Sequence, residues 1–135
     1  MADMLDWWTV PGGRWGVLNL DFKVELTRES GVRPHRFADY GEAELNTFDG
    51  GDWQFARIRM VPVTRDLVDL IGVEQTLSHV EWGEMPGGRI DREQVTDEQV
   101  LELARNAVFG LRRVGMPVES EPGSELSVQA TAAPF

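Results

Sequence analysis

The stretch Val17-Leu18-Asn19-Leu20-Asp21-Phe22-Lys23-Val24-Glu25-Leu26 decides the fold class of this chain. Leu18, Leu20, Phe22, Val24 and Leu26 alternate with Asn19, Asp21, Lys23 and Glu25 without a break. Successive side chains of an extended strand point to opposite faces, so every apolar group falls on one side and every polar group on the other. This is the pattern of an antiparallel sheet with one face on a core and the other in water. Burial of each leucine or phenylalanine contributes about 1.5–3 kcal/mol. A slip of one residue would expose the whole apolar set, which fixes the register.

Downstream, a second strand is expected over Tyr40–Phe48, where the alternation is less regular. Asp49-Gly50-Gly51-Asp52 then reads as a hairpin turn into a third strand, Trp53 to Val63. Pro62 has no N–H for a ladder and marks a strand end or an edge. Between Thr64 and Glu84 the pattern supports two structures. Leu67, Val68, Leu70 and Ile71 would make a short helical face stopped at Gly72, with Val73, Leu77 and Val80 also at helical spacing. Val80 and Trp82 alternate as in a strand.

The C-terminal helix has more signals. Thr96 and Gln99 form a capping-box pair, Asp97 and Glu98 suit the positive end of the helix, and Arg112 and Arg113 suit its negative end. Val100, Leu103, Ala104, Ala107, Leu111 and Val114 make one apolar stripe, with Gly115 and Pro117 as stop signals. The expectation is a helix over 97–114 packed across the sheet. Residues 117–135, rich in Pro, Ser, Ala and Glu, read as a flexible tail in which Phe135 would anchor a partner-ordered state. The fold expected is a single α+β domain over 1–116, with an antiparallel sheet of three or four strands and a C-terminal helix packed on it.

The chain has 135 residues, 41% of them hydrophobic, which suits one domain with a real core. Its formal net charge is −10, it has no cysteine, and it has two histidines. Thiolate chemistry and cysteine-built zinc sites are thereby excluded, and electrostatic binding to nucleic acid or anionic membrane is disfavoured. No apolar run approaches the roughly 20 residues that span a bilayer, and the start, Met1-Ala2-Asp3-Met4-Leu5-Asp6, is acidic where a signal peptide is basic. A cytoplasmic or virion-associated setting is expected. The bases are twelve arginines and a single lysine, Lys23, as GC-rich codon usage produces. The acids concentrate between Glu81 and Glu102, where Glu84, Asp91, Glu93, Asp97 and Glu98 also lie, against only Arg89 and Arg92.

Several groups carry possible chemistry, each beside a plainer role. Trp7-Trp8-Thr9-Val10-Pro11-Gly12-Gly13-Arg14 is echoed by Trp82-Gly83-Glu84-Met85-Pro86-Gly87-Gly88-Arg89, both reading Trp-x-x-x-Pro-Gly-Gly-Arg. Tryptophan and arginine dominate binding hot spots, so the two loops are candidate contact sites. Pro-Gly-Gly is also simply a good turn. Trp7 and Trp8 would point to opposite faces of a strand, leaving one exposed to a partner while the other, with Trp15, closes the core. Glu93, Asp97, Glu98 and Glu102 form either a solvated helix face or an acidic contact surface. Asp49, Asp52 and Asp39 fall short of a calcium loop. His35 and His79 have no zinc-site spacing and no selected carboxylate partner for general base work. Arg57 and Arg59 share a strand face with Trp53 and Phe55. There they serve either to bind phosphates or bases or to pair with acids such as Glu42 and Glu44.

Gly51-Asp52-Trp53-Gln54-Phe55, the run Ile71-Gly-Val-Glu-Gln-Thr-Leu-Ser78-His79-Val80-Glu81-Trp82-Gly83-Glu84 and the following helix, together about residues 50–115, resemble a group of small actinobacterial phage and plasmid proteins of unknown function. The resemblance implies an origin in a mobile element. The sequence carries no nucleophile elbow and no phosphate loop. The function expected is therefore a non-enzymatic, acidic protein-binding accessory without a cofactor. It would act on a host factor or as a minor virion component, with self-association open to it. Its candidate contact residues are Trp7, Trp8, Trp82, Arg89, Glu93, Asp97, Glu98 and Glu102. Two alternatives stand beside this. A DNA mimic would act through the acidic helix. A small-molecule binder or enzyme would gather Trp53, Trp82 and a histidine around a pocket.

Overall fold

Strand alternation builds the sheet where the sequence is most regular. In the computed structural model, which describes residues 3–34 and 40–126, β2 spans Leu20–Arg28 and fully buries Leu20, Phe22, Val24 and Leu26. Leu18 departs from the expected set and is 48% exposed. The chain turns between Gly16 and Asn19, where the C-terminal segment holds it instead of a neighbouring strand.

The other strands are β1 (Met4–Pro11), β3 (Trp53–Thr64), β4 (Gln75–Met85) and β5 (Gly88–Ile90). They form a five-stranded sheet in the order β1-β2-β3-β4-β5, each neighbouring pair antiparallel. That is one strand more than the upper expectation. Trp8 of β1 stacks on Trp82 of β4 with ring centroids 6.2 Å apart, although β2 and β3 lie between their strands. In a flat sheet three strand spacings would separate them by about 14 Å, so the sheet is strongly curled.

A continuous helical segment lies in the curl: α2 (Arg92–Val95), a π turn (Thr96–Val100) and α3 (Leu101–Arg113). Val95, Val100, Ala104, Ala107 and Val108 are fully buried against Trp8, Phe22, Val24, Ile58 and Met60. The helix thus starts five residues before the expected 97. Asp91, not Thr96, caps it, its Oδ1 accepting the N–H groups of Glu93 (3.1 Å) and Gln94 (3.2 Å). The extra residue of the π turn accompanies a buried Thr96, whose Oγ1 accepts the Trp8 indole N–H at 3.1 Å. At the far end, Gly115 has φ 84°. Its N–H reaches Arg112 O, and the Met116 N–H reaches Leu111 O, closing a Schellman turn. Val114, expected in the apolar stripe, is 75% exposed beyond this stop.

The expected strand at Tyr40–Phe48 is instead a helix, α1 (Glu42–Asp49). Glu42, Ala43, Glu44 and Leu45 are good helix formers, and the Glu44 carboxylate accepts the Gly41 N–H at 2.7 Å at its start. Asp49-Gly50-Gly51-Asp52 therefore ends a helix and does not turn a hairpin, with Gly51 at φ 85°. α1 covers the convex face of the sheet. Phe48 meets Trp53 edge-on at 5.0 Å, and the Trp53 indole N–H donates to Glu44 O. Trp53 and Phe55 are thereby buried on the face opposite the main core.

Pro62 lies in β3 just beyond the last β4 pair, Met60–Gln75, where no strand requires its N–H. The ambiguous segment resolves into a loop followed by β4. Its pairing back onto β3, with Leu70 N–H on Pro62 O and the Val63–Asp69 bridge, overrides the helical spacing. Lys23, expected to be solvated, pairs with Asp69 at 2.8 Å. The segment expected to be a free tail is docked as far as Leu126. Leu18 N–H bonds Glu119 O, Glu121 N–H bonds Gly16 O, and Arg112 donates to Leu126 O and Ser120 Oγ. Leu126 is fully buried, and burial lowers the Arg112 pKa from its ordinary value. Residues 127–135, Phe135 included, lie outside the described residues.

Candidate functional site

The alternation of β1 sends Trp7 and Trp8 to opposite faces. Trp8 is 8% exposed in the main core and Trp7 is 57% exposed on the outer face. Beside them Arg92, in the first turn of α2, clamps the edge of β1. Its Nε and Nη2 donate to the Asp6 carboxylate at 2.6 and 2.5 Å, and Nη2 also donates to Trp7 O at 3.2 Å. The same guanidinium lies 5.3 Å from the Trp8 ring centroid. The Trp7 N–H donates to Asp6 Oδ1. The outward peptide groups at Trp7 are thus occupied, which blunts this sheet edge against strand pairing.

This clamp shifts both of its partners. The Arg92 hydrogen bonds lower the Asp6 pKa, and the Asp6 bonds raise that of Arg92. Behind the clamp, Trp82 packs its ring on Trp8, and the Pro86-Gly87 turn between β4 and β5 presents Arg89. Asp6, Trp82, Arg89, Asp91, Arg92 and Glu93 line a shallow cleft of about 420 Å³. Arg89 pairs with Glu84 across the hairpin at 3.1 Å.

The first Pro-Gly-Gly-Arg serves the same region differently. It forms a 3-10 turn, Gly12–Trp15, and a side chain at Gly12 would collide with Leu20 O. The turn sends Arg14 to Glu93 and Asp97, whose hydrogen bonds raise its pKa, Asp97 contributing most. The two matching sequences are turns of different kinds. They converge on the same end of α2 through Arg14 and Arg89.

Of the candidate contact residues, Trp82, Arg89 and Glu93 come together in the cleft, with Trp7 exposed on the neighbouring strand edge. Trp8 is buried behind two of the lining residues, stacked on Trp82 and covered by the Arg92 guanidinium. Asp97 belongs to the Arg14 pair, and Glu98 and Glu102 lie farther along the helix, Glu102 pairing with Arg105 at 3.2 Å. Asp6 was not singled out from sequence; Arg14 entered only as the end of the first Pro-Gly-Gly-Arg loop, and Asp91 only as one of the acids between Glu81 and Glu102. The only signal for Arg92 was its interruption of the acidic run, and its partner Asp6 is 86 residues away.

The alternative sites are not assembled among the described residues. Trp53 and Trp82 are on opposite faces of the sheet. His79 lies edge-on to Phe55 at 6.0 Å, while His35 and Asp39 are outside the described residues. No group of three or more histidines or acids among the described residues is arranged to hold a metal ion, and no helix there is long and apolar enough to cross a membrane. Arg59 pairs with Glu25 at 3.0 Å and Glu74 at 3.8 Å, and Arg57 with Glu29 at 3.7 Å, in place of Glu42 and Glu44. No family model matches the chain, and neither a curated protein nor a solved structure matches it.

Proposed function

We propose that this chain is a non-enzymatic protein-binding accessory that engages a protein partner through Trp7 and the adjoining Trp82–Arg89 cleft. The observation that carries the reading is the exposure of Trp7: 57% of its surface faces water, and its own peptide N–H and C=O are already taken by Asp6 and Arg92. A side chain of this size gains more than any other from being covered, and tryptophan and arginine anchor interfaces most often. The acidic helix is better suited to the rim of that contact than to mimicry of a phosphate backbone. Arg14 holds Glu93 and Asp97, and Arg105 holds Glu102, so much of the negative charge is answered within the chain. The resemblance to phage and plasmid proteins favours a host factor or a virion component as the partner's setting, inside the host cell or on the particle.

The test is capture of partners from an actinobacterial lysate at about 0.15 M and about 0.5 M salt, with wild type, Trp7→Ala and a Glu98→Gln/Glu102→Gln pair. A stoichiometric protein retained at both salts, kept by the acid variant and lost by Trp7→Ala is the expected result. A partner lost at high salt and with the acid variant, but indifferent to Trp7, would replace this reading with DNA mimicry. No protein captured under any condition would refute it.

A further inference from the structure

The curled sheet has two edges, and they are defended unequally. β1 has a bulge between Met4 and Asp6, a proline without an N–H at Pro11, and Asp6 and Arg92 on the peptide groups of Trp7. Features of this kind keep a sheet edge from pairing with another chain. β4 borders β5 only over Gly83–Met85, so its first half is an edge as well. There Gln75-Thr76-Leu77-Ser78-His79-Val80 contains no acid, lysine, arginine or proline, in a chain of net charge −10. Thr76 is exposed, and Leu77 is 37% exposed. The bulge of β4 falls after Leu77, between the Ala56–Val80 and Ile58–Leu77 pairs, and leaves Gln75, Thr76 and Leu77 in regular register.

The phase of the ladder shows where the backbone groups of this stretch point. Opposed residues of an antiparallel pair alternate between exchanging both hydrogen bonds and exchanging none. Glu84 N–H donates to Asp52 O, and Glu29 N–H donates to Phe55 O. Even-numbered residues of β3 therefore bond to β4, and odd-numbered ones bond to β2. Ile58 and Met60 take Leu77 and Gln75, while Arg59 leaves Thr76 unbonded. The N–H and C=O of Thr76 point away from β3, and among the described residues no strand lies on that side.

We propose that this edge pairs with the same edge of a second copy of the chain, antiparallel about a two-fold axis at Thr76, joining two five-stranded sheets into one. In that register the two Thr76 residues exchange both of their outward hydrogen bonds, and their β-branched side chains form a cross-strand pair. Gln75 lies opposite Leu77. Glu74 falls opposite Ser78 and not its own copy, and it is already answered by the Gly72 N–H and by Arg59 at 3.8 Å. At the other end Glu81 accepts the Tyr40 hydroxyl. A two-fold contact needs a patch that complements itself. An edge free of charge lets two acidic chains meet there without opposing carboxylates. The contact lies on the sheet edge opposite Trp7, so it does not rest on the reading of the Trp7 site.

The experiment is sedimentation velocity of the intact chain from about 10 µM to about 1 mM, at about 0.15 M and about 0.5 M salt. A monomer–dimer equilibrium is expected, tighter at the higher salt because screening weakens the repulsion between two chains of charge −10. Thr76→Pro removes an N–H that β3 does not use and should weaken the dimer about tenfold with an unchanged thermal midpoint. Thr76→Lys sets two like charges opposite each other and should weaken it by a similar factor. Thr76→Val keeps the N–H and should leave the dimer intact, as should Trp7→Ala. If Thr76→Pro lowers the midpoint, Thr76→Lys decides, together with exchange of the Thr76 amide, which should slow as concentration rises. A chain still monomeric at about 1 mM, a dimer that loosens with salt, one that survives Thr76→Lys or a folded Thr76→Pro, or one dissolved by Trp7→Ala would each overturn the proposal.

Discussion

Replacing Thr96 with valine tests whether the buried Trp8–Thr96 bond ties β1 to the helix in the main core. The two side chains are nearly equal in volume, so Thr96→Val leaves no cavity and removes only the Oγ1 acceptor. The Trp8 indole N–H then loses its partner, 3.1 Å away, in surroundings where Trp8 is 8% and Thr96 4% exposed. A buried donor left unsatisfied costs about 1–3 kcal/mol. Taking about 2 kcal/mol, the thermal midpoint of a domain this size falls by about 6–10 °C. The assay is urea and thermal unfolding followed by circular dichroism, in a cycle with Trp8→Phe. Phenylalanine has no N–H, so Thr96→Val in that background should cost close to nothing, giving a coupling of about 1–2 kcal/mol. A loss below about 0.5 kcal/mol for Thr96→Val alone, or equal losses in both backgrounds, would refute the reasoning.

Asp91→Ala should cost about 0.5–2 kcal/mol in the same unfolding assay, because Asp91 caps two backbone donors of α2; an unchanged midpoint would count against that cap. Leu67→Gly should stabilise the chain by about 0.5–1 kcal/mol, since Leu67 is held at φ 65° while 78% exposed; a lower midpoint would contradict this. The Asp6–Arg92 clamp gives a pH dependence of definite sign. Arg92 lowers the Asp6 pKa, so the stabilisation is whole above the ordinary aspartate value of about 4 and is lost as pH falls through the lower folded value. Wild type should therefore lose more stability than Asp6→Asn between about pH 6 and about pH 2, and parallel curves for the two proteins would sink the clamp's role.

How much of this was legible in sequence depended on whether the signal was local. The register of β2 was legible because a period of two admits one arrangement with Leu20, Phe22, Val24 and Leu26 inside. The apolar face of the long helix was legible from its spacing, but its start was not. Thr96-Asp97-Glu98-Gln99 has the composition of a cap, and only the Trp8 indole arriving from β1 puts the Thr96 hydroxyl to another use. Tyr40–Phe48 was misread because its weak alternation matters less than Trp53 and Phe55, which need α1 to cover them. Residues 117–126 have few large apolar groups, and their docking rests on backbone partners at Gly16–Asn19 and on Leu126.

The candidate site divides in the same way. Trp7, Trp82 and Arg89 were identifiable by residue type and by the repeated Pro-Gly-Gly-Arg turn. The opposite facing of Trp7 and Trp8 followed from strand geometry alone. Nothing in the sequence pairs Asp6 with Arg92 or Arg14 with Asp97, and these pairs shape the cleft and answer the helix's charge. By itself, then, the sequence determined an α+β chain, its best strand, its long helix and its acidic balance, because these depend on neighbours within a few residues. The tertiary structure alone decided the curl that stacks Trp8 on Trp82, the inward turn of Thr96 and the arginine clamp. Each of those joins groups more than seventy residues apart, and such groups meet only when the whole sheet closes around the helix.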